Sequence, residues 1–433
     1  MSGRTATRAR NDRRPAAPVG RYRWTVLGIA TFAQATSCFF VQGIGAMAVD
    51  LQRSLDIGTG QLGLLLSSSQ LVPLVGLLVA GELLDRHNER WVVGIGAAVV
   101  AGGLLLGSLA QGYASLLAVL LVVGAGYSTA QPGGSKSVAA WFAPAQRGLA
   151  MGVRQAGLPL GAAVAAAVLP AVAAAYGWRM ALVVGGLAAL TGAVVFMALY
   201  RRPPVVVAVV PVADPGRTRS DLREGAPSAA PRARLRMLRE PAMVRILLSG
   251  TSMVAVHGGV GLLGALYLHD VTHLGAGPTA AVLVAAQVAG ATGRIGLAAW
   301  SDRSRGGRYR PVLVSMGAVV AGLTVLMTPA GQSPPVAALV FTWLGFFGIG
   351  WYGPWVAHLA ESAPPGRTGF ALGLVMAVNQ LAVILVPPAL GLLRDTTHSF
   401  TPAWAVLAGT TALTFVATAS GDRHRHRRGS GSP

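Results

Sequence analysis

Long apolar runs without a single charge dominate this chain and limit what it can fold into. Trp91–Ala110, Ala181–Leu199 and Trp404–Ala419 are three of them. A helix rises about 1.5 Å per residue, so about 20 such residues cross the ~30 Å core of a bilayer with their backbone bonds closed internally. The runs do not alternate with period two, so they read as helices, not strands. Spans are expected near 25–49, 61–83, 91–110, 115–138, 148–174, 180–200, 246–268, 278–300, 311–330, 336–358, 368–392 and 402–419. The expected fold is an all-α membrane protein with twelve transmembrane helices in two pseudo-symmetric six-helix bundles. Hydrophobic residues make up 53% of the 433 and charged ones only 12%, which no soluble domain of this size matches. The 57 Gly and 26 Pro suit membrane helices, which tolerate both.

A net charge of +20 invites a nucleic-acid reading, and the distribution of the charge rejects it. The basic residues crowd alternate loops: residues 1–23, 201–245, 303–310 and 423–428, with Arg86, Arg90, Arg147 and Arg367. The opposite loops hold only Arg53, Arg179 and Arg394. This asymmetry places both termini in the cytoplasm and the protein in a bacterial inner membrane. The basic tails touch anionic lipid and bind no nucleic acid. The first span is too long for a cleaved signal peptide and reads as an uncleaved anchor. Cys38 is the only cysteine, which excludes an intramolecular disulfide and a cysteine metal site. No cofactor or metal is expected, and a monomer is.

Residues 201–243 interrupt the apolar rhythm with Pro, Ala and Arg and read as a linker. The expected organisation is a basic tail (1–23), a six-helix bundle (24–200), the linker (201–243), a second bundle (244–420) and a second tail (421–433). The halves echo each other. Arg147-Gly-Leu-Ala-Met-Gly152 opens span 5, and Arg367-Thr-Gly-Phe-Ala-Leu-Gly373 opens span 11. Leu84-Asp85-Arg86 closes span 2, and Ser301-Asp302-Arg303 closes span 8. Parallel six-helix repeats are a transporter architecture.

Strongly polar side chains repeat with a period of three spans. Spans 3, 6, 9 and 12 have none well inside. The others carry Gln34 and Gln42 (1), Gln70 (2), Gln131 and Lys136 (4), Arg154 and Gln155 (5), His257 (7), Gln287 and Arg294 (8), His358 (10), and Asn379 and Gln380 (11). Polar groups are costly in lipid and turn inward. Eight spans therefore enclose a polar interior and four lie outside it. Scattered glutamines that merely join helices are the simpler reading, and it leaves the period unexplained.

Gly81-Glu-Leu-Leu-Asp85-Arg86-His-Asn-Glu-Arg90 resembles the loop signature of the major facilitator superfamily between spans 2 and 3. A degenerate copy runs from Ala298 through Asp302 and Arg303 to Arg310, with Ala298 in place of glycine. The resemblance covers nearly the whole chain and implies a cytoplasmic gate of Gly81, Asp85, Arg86, Arg90, Asp302, Arg303 and Arg147; Arg154, about 10 Å from Arg147 by helical rise, is read into the same gate, with substrate contact as the alternative. It implies that Asp85 faces the start of span 11 and Asp302 the start of span 5, each carboxylate meeting a positive helix N-terminus. The run from Lys136 to Gly161 resembles nitrate/nitrite, cyanate and organic-anion porters. The nitrate pair is broken, because Leu77 stands where those porters carry the span 2 arginine, while Arg294 keeps the span 8 one. Oxalate and monocarboxylate porters resemble the chain at this position too.

Arg294 precedes Asp302 by eight residues, about 12 Å into a half-core of about 15 Å. All acidic residues lie at span ends or outside them. A guanidinium at that depth calls for an anion, and a substrate carboxylate is the natural counter-charge. A strut bonded to backbone carbonyls is the alternative. Gln287, His257, Gln34, Tyr127, Gln131, Tyr352, Trp355 and Asn379 complete the candidate substrate site. His257 either carries a coupling proton or joins helices as a neutral imidazole.

No nucleophile–base pair or metal-ligand spacing appears, so an enzyme is not expected. The expected function is secondary active transport of a small solute, an organic or inorganic anion such as a monocarboxylate, by alternating access. A drug or metabolite efflux antiporter and a non-transporting membrane sensor are the alternatives.

Overall fold

The computed structural model describes residues 21–142, 144–202, 240–303, 309–362 and 368–429. All regular structure among them is helical. Eleven helices among the described residues are long and apolar enough to cross a membrane. Arg310–Leu326, a shorter apolar helix of 17 residues, supplies the twelfth span at the position expected for span 9.

Several spans are not straight. Span 1 passes from Tyr22–Gly43 through a 3₁₀ turn at Ile44–Met47 into Ala48–Leu55. Span 2 breaks into Thr59–Leu71 and Pro73–Arg86, because proline cannot supply the N–H that would continue the helix. Span 4 divides into Tyr113–Tyr127 and Ala130–Trp141, and span 10 into Pro334–Gly350 and Tyr352–Ser362. Span 5 (Pro144–Tyr176) absorbs Pro159 and Pro170 without ending, and span 11 (Thr368–Thr397) absorbs Pro387 and Pro388. Span 12 (Thr401–Gly429) continues as helix into the stretch expected to be a solvated tail. The remaining spans are Glu89–Gly107 (3), Trp178–Leu199 (6), Pro241–Asp270 (7) and Ala276–Arg303 (8).

The main pairings between the first six spans and the last six are span 1 with 7, span 2 with 11, and span 5 with 8. The principal contacts of spans 3, 6, 9 and 12 stay within their own half. Those four are the spans without deep polar residues.

The face opposite the chain ends, here the far face, is shut by backbone-to-backbone contact. A Cβ on Gly45 would lie 2.1 Å from the Gly261 carbonyl oxygen, and one on Gly391 would lie 2.3 Å from that of Thr59. Only hydrogen at these positions lets the helices meet so closely. Asp395, at the end of span 11, lies across the N-terminus of span 2. Its carboxylate accepts hydrogen bonds from the Thr59 and Gly60 N–H groups at 3.0 and 2.8 Å. Those N–H groups have no partner within their own helix, and the helix dipole favours a negative charge there. Around this cap runs a chain of ionic contacts. Arg53 donates to His269 (3.0 Å), His269 meets Asp270 (2.8 Å), Arg394 donates to Asp270 (2.9 Å), and Arg394 lies 3.7 Å from Asp395.

Candidate functional site: a buried guanidinium pair at the midplane

Within the spans, nearer the face that carries the chain ends, lie two arginines, one in each half. Arg294 of span 8 is only 9% exposed. Its Nη1 donates to the backbone carbonyl of Gln155 in span 5, across the boundary between the halves, at 3.0 Å. That carbonyl is available for a specific reason. Within a helix the carbonyl of residue i bonds the N–H of residue i+4. Four residues after Gln155 stands Pro159, which has no N–H. The guanidinium also sits over the Tyr352 ring, 5.5 Å from its centroid. Its Nε finds no partner in the protein.

Arg154 precedes Gln155 and lies at the same depth, fully buried. Expected in the gate, it is instead held inside its own half. Its Nη2 donates to Gln34 Oε1 (3.0 Å) and to the carbonyls of Ala130 (3.2 Å) and Gln131 (2.7 Å). Gly134 makes room for it, since a Cβ there would lie 2.7 Å from the arginine Nε. Tyr127 and Tyr352 each lie within coulombic range of both guanidiniums. His257 lies within range of Arg294.

The polar atoms around this pair are incompletely satisfied. Gln34 Nε2, Gln155 Oε1, Gln287 Oε1 and both the Nε and Nη1 of Arg154 are buried without a protein partner. Burying such atoms unpaired costs about 1–3 kcal/mol each, so their presence on the spans that carry the two arginines marks a place where another polar species belongs.

Two other candidates are engaged with span 7. Trp355 is fully buried and donates its indole N–H to the Ile246 carbonyl at 3.0 Å. Asn379 accepts from Thr251 at 3.1 Å, and both residues seat against Gly250 of span 7. Trp355 still reaches the site through Tyr352, their rings 5.9 Å apart. Another bond between the halves joins spans 2 and 11: Gln380 Nε2 donates to the Gln70 carbonyl, just before the break at Pro73, at 2.9 Å.

At the face carrying the chain ends, Arg86 pairs with Glu82 and both are exposed. Arg90 lies 5.7 Å from the Trp91 ring centroid, and a Cβ on Gly81 would meet nothing within 4 Å. Asp302 and Arg303 are exposed at the end of span 8. The side chains of Asp85 and Arg147, and residues 363–367 before span 11, lie outside the described residues. Two features had a sequence signal that went unread. Pro159 four residues after Gln155 announced a free carbonyl, and the charges at 269–270 and 394–395 stood at matching span ends.

A membrane-embedded helical bundle in two halves, with polar groups converging within it, is the architecture of a solute transporter. The Major Facilitator Superfamily model matches residues 30–387, and the chain belongs to that superfamily of transporters, not to an enzyme family. An uncharacterised MFS-type transporter of Mycobacterium tuberculosis is 27% identical over 89% of this chain and 82% of its own length. The 4-hydroxybenzoate transporter of Pseudomonas putida is 28% identical over 42% of this chain and 40% of its own. A hexuronate transporter of Bacillus subtilis is 28% identical over 36% of each chain. The fold is shared with a bacterial homologue of the human lysosomal transporter Spinster, solved inward-facing and occupied. The TM-score is 0.69 at 14% identity, covering 93% of this chain and 96% of that one.

Proposed function

We propose that this protein is a secondary active transporter of a small organic anion, with Arg294 as the group that holds the anionic end. One observation carries the reading: a guanidinium buried within the spans is bonded only to a neutral carbonyl, with its Nε unpartnered. No carboxylate lies at its depth among the described residues. A charged carboxylate is the partner that completes such a site, because charge-assisted, bidentate bonds to arginine are strong and planar. Tyr352 and Tyr127 add aromatic bodies with polar tips, which suit a small amphipathic acid. The named relatives that carry hexuronate and 4-hydroxybenzoate, both acids, support the same class.

In this reading the face with the chain ends is cytoplasmic, as the arginine asymmetry of the loops indicates. The halves at 24–200 and 244–420 rock about the arginine site, joined by the 201–243 linker. Asp85, Arg86, Arg90, Asp302, Arg303 and Arg147 form the inner gate. The far face is then the outer one, and the Asp395 cap with its ionic chain closes it.

The test is uptake into proteoliposomes of a hexuronate, 4-hydroxybenzoate, and a panel of small carboxylates with sulfate and phosphate. Arg294→Ala is expected to abolish uptake, with a melting temperature close to that of the parent. Wild-type uptake by the folded variant sinks the role given to Arg294. A parent protein that responds to none of the panel sinks the anion reading.

A further inference from the structure

Arg294 alone does not define an anion site. Its guanidinium must present the right edge. A planar carboxylate pairs side-on with the Nε–Nη2 edge, or end-on with both Nη atoms. In this protein Nη1 is already engaged by the Gln155 carbonyl at 3.0 Å, while Nε has no protein partner. The bond to Gln155 pins the end of the fork and leaves the Nε edge free.

We propose that Pro159 is a positioning residue for substrate binding: by withholding its N–H it keeps the Gln155 carbonyl open, and that carbonyl orients Arg294 for side-on capture of a carboxylate. The inference rests on the anion reading above and adds to it the source of the site's geometry. Three observations converge. Pro159 lies within a continuous helix, where it removes the ordinary partner of the Gln155 carbonyl and its ring crowds that carbonyl away from the helix axis. The acceptor thus freed receives a donor from the opposite half. The aromatic face of Tyr352 supports the same guanidinium at 5.5 Å, leaving an edge and not a face for the ligand. The arrangement has a further consequence. Because Arg294 belongs to one half and Gln155 to the other, the correct edge is presented only while spans 5 and 8 remain in contact. Binding geometry is thereby tied to the conformation of the carrier.

Two substitutions separate the bond from the bend. Pro159→Ala and Pro159→Gly both restore an N–H, which the Gln155 carbonyl takes back; the glycine variant keeps the helix pliable. Pro170 is the control, a second proline in the same helix that lines a groove with Ala276 and Ala280 and touches no arginine of the site. In proteoliposomes with the panel anion that the parent takes up best, both Pro159 variants are expected to raise KM about threefold to tenfold, the cost of one lost hydrogen bond. Turnover should change less, and Pro170→Ala should leave KM where it was.

A double-mutant cycle with Arg294→Lys then distinguishes positioning from general damage. A lysine has no planar fork to orient, so Pro159→Ala should add little in that background. A Pro159→Ala KM equal to that of the parent, or equal to that of Pro170→Ala, overturns the proposal. So does an effect of full size in the lysine background. If Arg294→Lys takes up nothing, the comparison of Pro159→Ala with Pro170→Ala decides alone. Loss of uptake in Arg294→Ala together with an unchanged Pro159→Ala would reject this inference and leave the anion site standing.

Discussion

The seam at the far face and the buried arginine pair are both charged regions between the halves, and they are built on opposite principles. At the seam each main charge has an ionic or dipolar partner. Asp270 meets Arg394, Asp395 caps a helix, and Arg53 donates to His269. Glycines there bring backbones into direct contact. In the arginine pair the two guanidiniums have only neutral partners, and buried donors and acceptors around them are left over. A region whose charges are paired, even with Arg394 Nε left over, can hold a conformation. A region that lacks a counter-charge waits for one, and an anion supplied from solution is the species that differs between the empty and loaded carrier.

The largest test of this contrast is to wedge the seam. Gly391→Val would place a Cβ 2.3 Å from the Thr59 carbonyl oxygen, an overlap that only separation of spans 2 and 11 relieves. Uptake should fall more than about tenfold, since overpacking costs about 1–3 kcal/mol and here falls on one conformation only. Spin labels on Ser54→Cys and Thr397→Cys, both exposed at the outer ends, should report a longer distance in the valine variant. Gly409→Val, where a Cβ would meet nothing, is the control. An unchanged distance would mean that the seam is not what keeps the far face shut.

A second test enters the arginine pair from behind. Gly134→Ala would bring a Cβ to 2.7 Å from Arg154 Nε and push the guanidinium off its three acceptors. Thermal stability should drop by about 1–3 kcal/mol, because a buried cation loses its hydrogen bonds. A variant with unchanged melting and unchanged uptake would show that Arg154 needs neither that seat nor those partners.

How far the sequence could be read follows from what kind of atom makes each contact. The twelve spans were legible because lipid enforces one pattern on every crossing, and even the short span at Arg310–Leu326 fell where hydropathy placed it. The exclusion of spans 3, 6, 9 and 12 from the seam was legible from missing polar residues. The depth of Arg294 was legible from counting. Its acceptor was not, because it is a backbone atom of the other half, revealed only by combining a proline offset with a tertiary contact. Arg154 was read toward the gate because its distance was counted from Arg147, whereas its partners lie in spans 1 and 4. The ionic chain at the far face is not legible in the sequence, because Asp270 lies more than a hundred residues before the neighbours Arg394 and Asp395, at span ends where charges are ordinary. The breaks at Val72–Pro73 and Ser128–Thr129 were folded into straight spans because hydropathy does not register a turn inside an apolar run.

Asp395→Asn asks how much of the seam is charge and how much is shape. The amide can still accept from one of the two N–H groups, but it brings no negative charge to the helix N-terminus. Charge–dipole contacts at a helix N-terminus contribute about 0.3–2 kcal/mol from exposed to partly buried, so the ratio of open to closed seam should rise about twofold to thirtyfold. The Ser54–Thr397 spin-label pair reads this directly. The effect should shrink at high salt if it is electrostatic. A shift as large as that of Gly391→Val would reverse the ranking and make charge, not close packing, the main closure.

The smallest effect is expected on the other side of the membrane and bears on the inner gate. Arg86 and Glu82 form an ion pair one helical turn apart, both well exposed. Such pairs contribute about 0.3–0.5 kcal/mol at most, so Arg86→Ala should leave the melting temperature nearly unchanged. Stability is therefore a poor reason for the arginine to be there. If it serves the gate that the loop signature implies, uptake should fall while stability holds. If both hold, the pair is an ordinary solvated one, and the inner closure must be sought in Asp85 and the start of span 11. The same comparison then applies to both faces: a far-face seam of paired charges whose loss is read in conformation, and a loop at the chain-end face whose exposed Arg86–Glu82 pair is read only in transport.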